Sequence, residues 1–185
     1  MSVSILSEWF TPNEAAALTD VTEKQVRKEL EYGVIEASAP SQLSFVALVY
    51  LFLVRASGLR LPVEVRARLY RQLRDMLTSE QPMHDIEVSE PFYMRVNPRF
   101  ESLLKRVEDY RAWKATLVED PDIMGGSTLF PGSRLTVHHI GGMQERGIDP
   151  QEILEDYPYL NQQDLDFAQI FVRAHPKLGR PRSNA

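Results

Sequence analysis

From Phe10 to Leu77 the apolar residues recur mostly at helical spacing, and polar caps and glycines cut the pattern into short helices. Phe10-Thr11-Pro12-Asn13-Glu14 opens the first. Thr11 is the cap, Pro12 takes the first helical position where a missing N–H costs nothing, and Glu14 reaches back to the cap. This helix is expected through Leu18. Thr22, with Gln25 three residues on, opens a second helix that Gly33 ends after Tyr32. Val26 and Leu30 stand at i and i+4 and face inward, so Lys24, Lys28 and Glu31 lie on the other side, flanked by Gln25 and Arg27. Joined through Thr19-Asp20-Val21, the two helices make a helix-turn-helix.

The pattern then changes period several times. Val34–Leu43 is β-like and carries Pro40, which suits a short hairpin or wing. Ser44 caps an apolar helix to about Ala56, broken at Gly58, and Pro62 opens another to about Leu77. There Val65, Leu69, Leu73 and Met76 mark the buried stripe, leaving Arg66, Arg68, Arg71 and Arg74 mostly outside. Asp85–Val88 and Phe92–Val96 alternate as two short strands around Ser89-Glu90-Pro91. Pro98 opens a helix to about Thr116 with Phe100, Leu103, Leu104, Val107, Tyr110 and Trp113 at helical spacing, a stripe assigned to the core or a dimer seam. Beyond Val118, Gly125-Gly126 permits a left-handed backbone, and Leu129–Val137 suits a hairpin around Pro131-Gly132. A helix from about Val137 to Arg146 stops at Gly147. Asp149-Pro150-Gln151-Glu152 starts the next, with Glu152 completing a capping box, Tyr157-Pro158 interrupts it, and Asn161 with Asp164 caps the last. The fold class expected is mainly α with short β hairpins. The segments are an N-terminal domain over 1–80, a hairpin and connecting helix over 81–116, a C-terminal domain over 117–173 and a tail over 174–185.

Composition narrows the chemistry. With 185 residues, 43% hydrophobic and 25% charged, the chain can bury a core of one large or two small domains. It has no cysteine, so no disulfide, thiol nucleophile or cysteine zinc site exists. The apolar run from Phe45 to Val54 is about half of the roughly 20 residues that span a bilayer. Neither a basic region before an apolar core nor a cleavage site opens the chain, so a soluble cytoplasmic protein is expected.

The net charge of -5 is unevenly spread, and the distribution matters more than the sum. Between Arg55 and Arg74 six arginines face Glu64 alone. Between Glu145 and Asp166 seven acids face Arg146 alone. From Phe167 onward Arg173, Lys177, Arg180 and Arg182 meet no acid. A basic N-terminal half, an acidic C-terminal domain and a basic tail point to two different partners. The arginines of the Pro62–Leu77 helix read equally as phosphate contacts or as solubilising residues. The last helix carries Asp164 and Asp166 with no base until Arg173, which phosphate would repel, so this second helix-turn-helix shape is assigned to protein contacts.

Nothing in the sequence supports catalysis. His84, His138, His139 and His175 lack a ligand partner at the i+4 spacing of a helical metal pair. Adjacent His138 and His139 project about 100° apart on a helix. No phosphate-loop, dinucleotide or nucleophile-elbow motif occurs. No catalytic residue, metal or cofactor is therefore assigned.

Two segments resemble known families. Phe10-Thr11-Pro12-Asn13-Glu14-Ala15-Ala16 with Val21-Thr22-Glu23-Lys24-Gln25-Val26-Arg27 resembles the opening of MerR-type and excisionase-type DNA readers, in which the second helix enters the major groove. That resemblance implies DNA contacts by Lys24, Arg27 and Lys28 to phosphates or guanine and by Gln25 to adenine, extended by Arg66 and Arg71 along the backbone. The run from Asp120 to Val137, including Gly125-Gly126-Ser127-Thr128 and Pro131-Gly132, with Gly147 and Glu152-Ile153-Leu154-Glu155-Asp156-Tyr157-Pro158-Tyr159-Leu160, resembles the domain-of-unknown-function-433 antitoxin family. The resemblance implies a VapB-like member of a type II toxin-antitoxin system. The resemblance implies a C-terminal helix-turn-helix-like antitoxin domain that neutralises a PIN-like ribonuclease toxin, together with repression of its own operon. Ser127-Thr128 stands where the family commonly has Thr-Pro.

PIN nucleases cluster carboxylates around a divalent metal, so a basic segment can occupy the same electrostatic well. The tail offers Arg173, Lys177, Leu178, Arg180 and Arg182 as toxin-binding residues, with prolines limiting its freedom and arginine forking carboxylates. The other reading of the tail is a basic segment that keeps the chain soluble or adds DNA affinity. The competing function is a stand-alone helix-turn-helix regulator whose C-terminal domain dimerises or senses a ligand. An RNA-binding adaptor lacks the exposed-aromatic motifs it needs. One reading helix per subunit implies a homodimer on a palindromic operator.

Overall fold

The computed structural model describes residues 7–38, 41–79, 82–123 and 125–176. The chain divides into two compact units, Met1–Ala112 and Trp113–Ala185. Among the described residues it is mainly helical, with eight helices and a few short antiparallel strand pairs.

The first unit begins with β1 (Trp9–Phe10), α1 (Pro12–Thr19) and α2 (Glu23–Glu31). Both helices start as the sequence dictates. Thr11 and Glu14 form a reciprocal capping box on α1, as do Thr22 and Gln25 on α2, satisfying amides a helix otherwise leaves orphaned. The turn between them puts Asp20 in the left-handed region at φ 55, a conformation Asp tolerates better than most residues. It is held from outside: Arg55 Nε donates to the Asp20 carbonyl (3.2 Å), and Arg106 reaches its carboxylate at 2.8 Å.

After α2 come β2 (Ala37–Ser38) and β3 (Gln42–Ser44), which form an antiparallel sheet of order β1-β3-β2. Leu43 pairs with both Phe10 and Ala37. This is the expected hairpin, although Pro40 lies outside the described residues. α3 (Phe45–Ser57) buries every residue from Phe45 to Leu51, which explains why its apolar pattern runs all round instead of along a stripe. Ser44 precedes it but its hydroxyl accepts no cap hydrogen bond, contrary to expectation. α4 (Val63–Thr78) buries Leu69, Tyr70, Leu73 and Met76, while Val65 stays half-buried. The hairpin β4 (Ile86–Ser89) with β5 (Phe92–Met94) follows, then α5 (Asn97–Lys114).

Phe10, Phe45 and Phe100 stack in series through the core at 6.5 and 5.8 Å between ring centroids. Of the stripe on α5, Phe100, Leu103, Val107, Tyr110 and Trp113 are buried and Leu104 is half-buried. Burial, reinforced by the nearby Glu14, raises the Tyr110 phenol well above its ordinary pKa.

The second unit takes up the last turn of α5 from Trp113. Its short pair β6 (Val118–Glu119) and β7 (Thr128–Leu129) brackets Gly125 and Gly126, whose φ values of 65 and 78 require glycine. Leu129 also bridges to Thr136 around Pro131-Gly132, so the expected turn there exists, but the strand partner of β7 is β6. α6 (Val137–Glu145), α7 (Pro150–Asp156) and α8 (Gln162–Ala174) complete the unit. Asp149 caps α7 through the amide of Gln151 at 2.8 Å, and Glu152 does not close a box as expected. Asn161 and Asp164 do close one on α8. Asp164 also accepts from Trp113 Nε1 at 2.8 Å, and the Trp113 ring packs on Phe130, Phe167 and Phe171.

Gly141 on α6 sets how closely α6 and α8 approach. A Cβ there would collide with the Val172 side chain and sit 2.6 Å from the Ala168 carbonyl oxygen, whereas one on Gly142 would meet only the far end of Arg146 at 3.4 Å. Backbone cannot move aside as a flexible side chain does. Gly141→Ala is therefore expected to destabilise the second unit by about 1–3 kcal/mol, the usual cost of overpacking. Gly142→Ala, which gains helix propensity, should be neutral or stabilising by up to about 1 kcal/mol. Chemical denaturation of both variants checks the contrast, and equal effects would remove the close approach as the cause.

Candidate functional site

α2 has one face for the core and one for water. Val26 is buried and Glu29 and Leu30 are half-buried, while Lys24, Gln25, Arg27 and Lys28 are exposed. The four expected DNA-contacting residues of α2 thus lie outside, but they are not equally available. Arg27 Nε donates to Glu23 at 3.0 Å, one turn earlier, and not to Glu31 as its spacing also allows. The Gln25 amide oxygen accepts from the Thr22 amide at 2.8 Å and from the Thr22 hydroxyl at 3.0 Å. Reading adenine needs that same oxygen together with the amide nitrogen, so Gln25 must break its capping box to do it. Lys24 and Lys28, one helical turn apart, carry no ion pair among the described residues.

The arginines of α4 separate in the same way. Arg66, expected to lie outside, turns inward: its side chain is 15% exposed and pairs with Glu29, itself 12% exposed. The same carboxylate accepts from the Tyr50 hydroxyl at 2.9 Å, and the Arg66 guanidinium lies over the Tyr32 ring at 5.8 Å. Burial first, and the Glu29 charge second, raise the Tyr50 phenol far above its ordinary pKa and keep it a donor. The cause of the inward turn is Glu29, a carboxylate on the inner side of α2 that must be paired to be buried. Arg68 donates to the Val88 carbonyl at 2.6 Å and Arg74 pairs with Glu36 at 3.0 Å. Arg71 is exposed and has no ion pair among the described residues.

Of the expected toxin-binding residues, Arg173 is exposed in the last turn of α8. Lys177, Leu178, Arg180 and Arg182 lie outside the described residues. Just before them His175 is bound at both ends, with Lys114 Nζ 3.2 Å from its Nε2 and His138 Nε2 2.8 Å from its carbonyl. His139, on the other side of α6, is 3.2 Å from the Tyr157 hydroxyl. The adjacent histidines therefore point to different neighbours. Among the described residues no group of three His, Cys, Asp or Glu side chains stands where a metal ion could be held, and no helix is long and apolar enough to cross a membrane.

A family model described as a protein of unknown function, DUF433, matches residues 117–172. That range covers the second unit from just after α5 into α8. The chain is 28% identical over 85 residues to the uncharacterized protein y4eO of Sinorhizobium fredii. The alignment spans 46% of this chain and 38% of that protein. No solved structure matches.

The Arg66–Glu29 pair gives a test of which arginine role holds. Arg66→Gln leaves the half-buried Glu29 carboxylate with the Tyr50 hydroxyl but without its counter-charge, and should cost about 3–5 kcal/mol in urea denaturation. Adding Glu29→Gln should recover part of the loss, a coupling readable in a double-mutant cycle. A loss below about 1 kcal/mol for Arg66→Gln, the size of an exposed pair, would return Arg66 to the surface.

Proposed function

We infer that the protein is the antitoxin of a type II toxin-antitoxin pair, a cytoplasmic DNA-binding repressor of its own operon that also inhibits a PIN-like ribonuclease. The first unit serves the DNA and the second the nuclease. One observation carries the DNA half. Two box-capped helices, joined through a turn pinned by Arg55 and Arg106, direct Lys24 and Lys28 outward with no ion pair among the described residues, and the β2–β3 hairpin follows them in the chain. That order of elements is what a MerR-like helix-turn-helix with a wing requires, with α2 as the helix for the major groove. Arg71 extends the exposed cations to α4. Arg66 is left out of the contact set, and Gln25 and Arg27 join it only by giving up their partners in the free protein.

The inhibitor half rests on the match to residues 117–172 and on the resemblance of that segment to VapB-like antitoxins. Charge favours the same division of labour. α7 and the start of α8 carry acids that repel phosphate, so this unit suits a protein surface better than a nucleic acid. The stand-alone regulator remains as a second reading, in which the acidic second unit, with its own aromatic core around Trp113, dimerises or senses a ligand.

In mobility-shift titrations on the DNA upstream of its gene, the protein should bind with an affinity that falls steeply with salt. Lys24→Ala and Lys28→Ala should each weaken binding and flatten the slope of log K against log salt by about 0.9, one phosphate contact apiece. No binding by the intact protein, or slopes unchanged in both variants, removes the DNA half. Co-expressed with the product of the neighbouring gene, the protein should retain a stoichiometric small nuclease through a high-salt wash. Deletion of residues 177–185 should abolish inhibition while leaving DNA binding intact, and retained inhibition excludes the tail from the mechanism.

A further inference from the structure

The geometry of the second unit points to a surface that accepts an arginine side chain of a partner protein, built from Tyr159, Tyr157 and His139 with the carboxylates of Glu155 and Asp156. It rests on the inhibitor reading for the partner being a protein, and it adds the chemistry of the contact. Tyr159 is 58% exposed, the most exposed large apolar side chain of this unit among the described residues. Its exposure is not that of a loose side chain. The Tyr159 ring stands edge-on to Tyr157 with centroids 6.4 Å apart, and Tyr157 stands edge-on to His139 at 6.2 Å. The Tyr157 hydroxyl is tied to His139 Nε2 at 3.2 Å. Three rings are thus set in place by contacts between α6 and the loop after α7, and Pro158 restricts the backbone between the two tyrosines. Such pre-set aromatic rings gain contact area at small entropic cost, as at interface anchors.

The choice of occupant follows from charge. Glu155 and Asp156 immediately precede the tyrosines, are exposed and have no ion pair among the described residues. They sit in the last turn of α7, where the carbonyl end of the helix adds negative potential. A guanidinium satisfies both features at once, stacking its plane on a tyrosine face while its N–H groups fork a carboxylate. A lysine ammonium does the first less well and the second only as a point charge. Nucleic acid is disfavoured because its phosphates would meet the same carboxylates. A second copy is disfavoured because a two-fold contact would set these acids against themselves.

The test titrates the full-length protein calorimetrically with tetra-arginine amide and tetra-lysine amide at physiological salt. Arginine should bind about three- to fivefold tighter, the scale of an exposed cation–π contact. Tyr159→Ala should erase that preference, Tyr159→Phe should keep it, and Glu155→Gln with Asp156→Asn should weaken both peptides. Equal binding of the two peptides, or a preference that survives Tyr159→Ala, overturns the proposal. A shift of Tyr159→Ala from dimer to monomer in sedimentation also overturns it, in favour of a second copy as occupant. The two readings fail separately. If arginine is preferred but no nuclease is retained on co-expression, only the antitoxin assignment falls. If a nuclease is retained equally by Tyr159→Ala and the acid-to-amide variant, only this surface falls.

Discussion

A carboxylate that cannot be left unpaired organises the first unit. Glu29 lies on the inner side of α2 at 12% side-chain exposure, where an isolated charge would be expelled or neutralised. It is kept by Arg66 from α4 and by the Tyr50 hydroxyl from α3, so one residue of α2 is tied to both of these helices. Tyr50 in turn stacks edge-on against Tyr70 of α4 at 5.8 Å, which joins the polar contact to the apolar core. A helix of nine residues has little stability of its own. Its rotation about its axis, and with it the direction of Lys24 and Lys28, depends on what its inner face is bound to.

The second unit solves a different problem with an apolar residue and a glycine. Trp113 supplies the aromatic centre for Phe130, Phe167 and Phe171 and donates its indole N–H to Asp164. Asp164 is also half of the box that starts α8. One carboxylate therefore both caps the helix and satisfies the buried indole. Gly141 then lets α6 and α8 close to a distance that no side chain at that position allows. Glu155, Asp156 and Tyr159 lie exposed outside this core.

Much of the charge that the sequence displays as a basic patch is paired off in the folded protein. Of the six arginines between Arg55 and Arg74, Arg55, Arg66, Arg68 and Arg74 are engaged by Asp20, Glu29, Val88 and Glu36 respectively. The apparent basic patch is largely internal cross-bracing. Arg60 and Arg71 stay exposed, as do Lys24 and Lys28 on α2, with no ion pair among the described residues. The acids of the second unit, by contrast, stay mostly exposed, and an aromatic ladder stands beside them.

Local rules were enough to read most element boundaries. Thr11 with Glu14, Thr22 with Gln25, and Asn161 with Asp164 form the boxes their spacing predicts, because a cap depends only on residues within one turn. The aromatic stripe on α5 was legible for the same reason, since 3.6-residue periodicity is local. The sequence determined that this is a mainly helical chain with short strand pairs and an uneven charge. The partner of each charge was not legible. Arg66 looked like its neighbours on α4 until Glu29, 37 residues away, came within reach, and Gln25 fitted both a cap and a base contact that one oxygen cannot make together. Gly141 and Gly142 are alike in the sequence of α6, because only the approach of α8 distinguishes the first from the second. The Tyr157–Tyr159–His139 ladder likewise joins residues of α6 and a later loop. Tertiary structure alone decided these, since a contact between distant residues leaves no periodicity for a sequence to display.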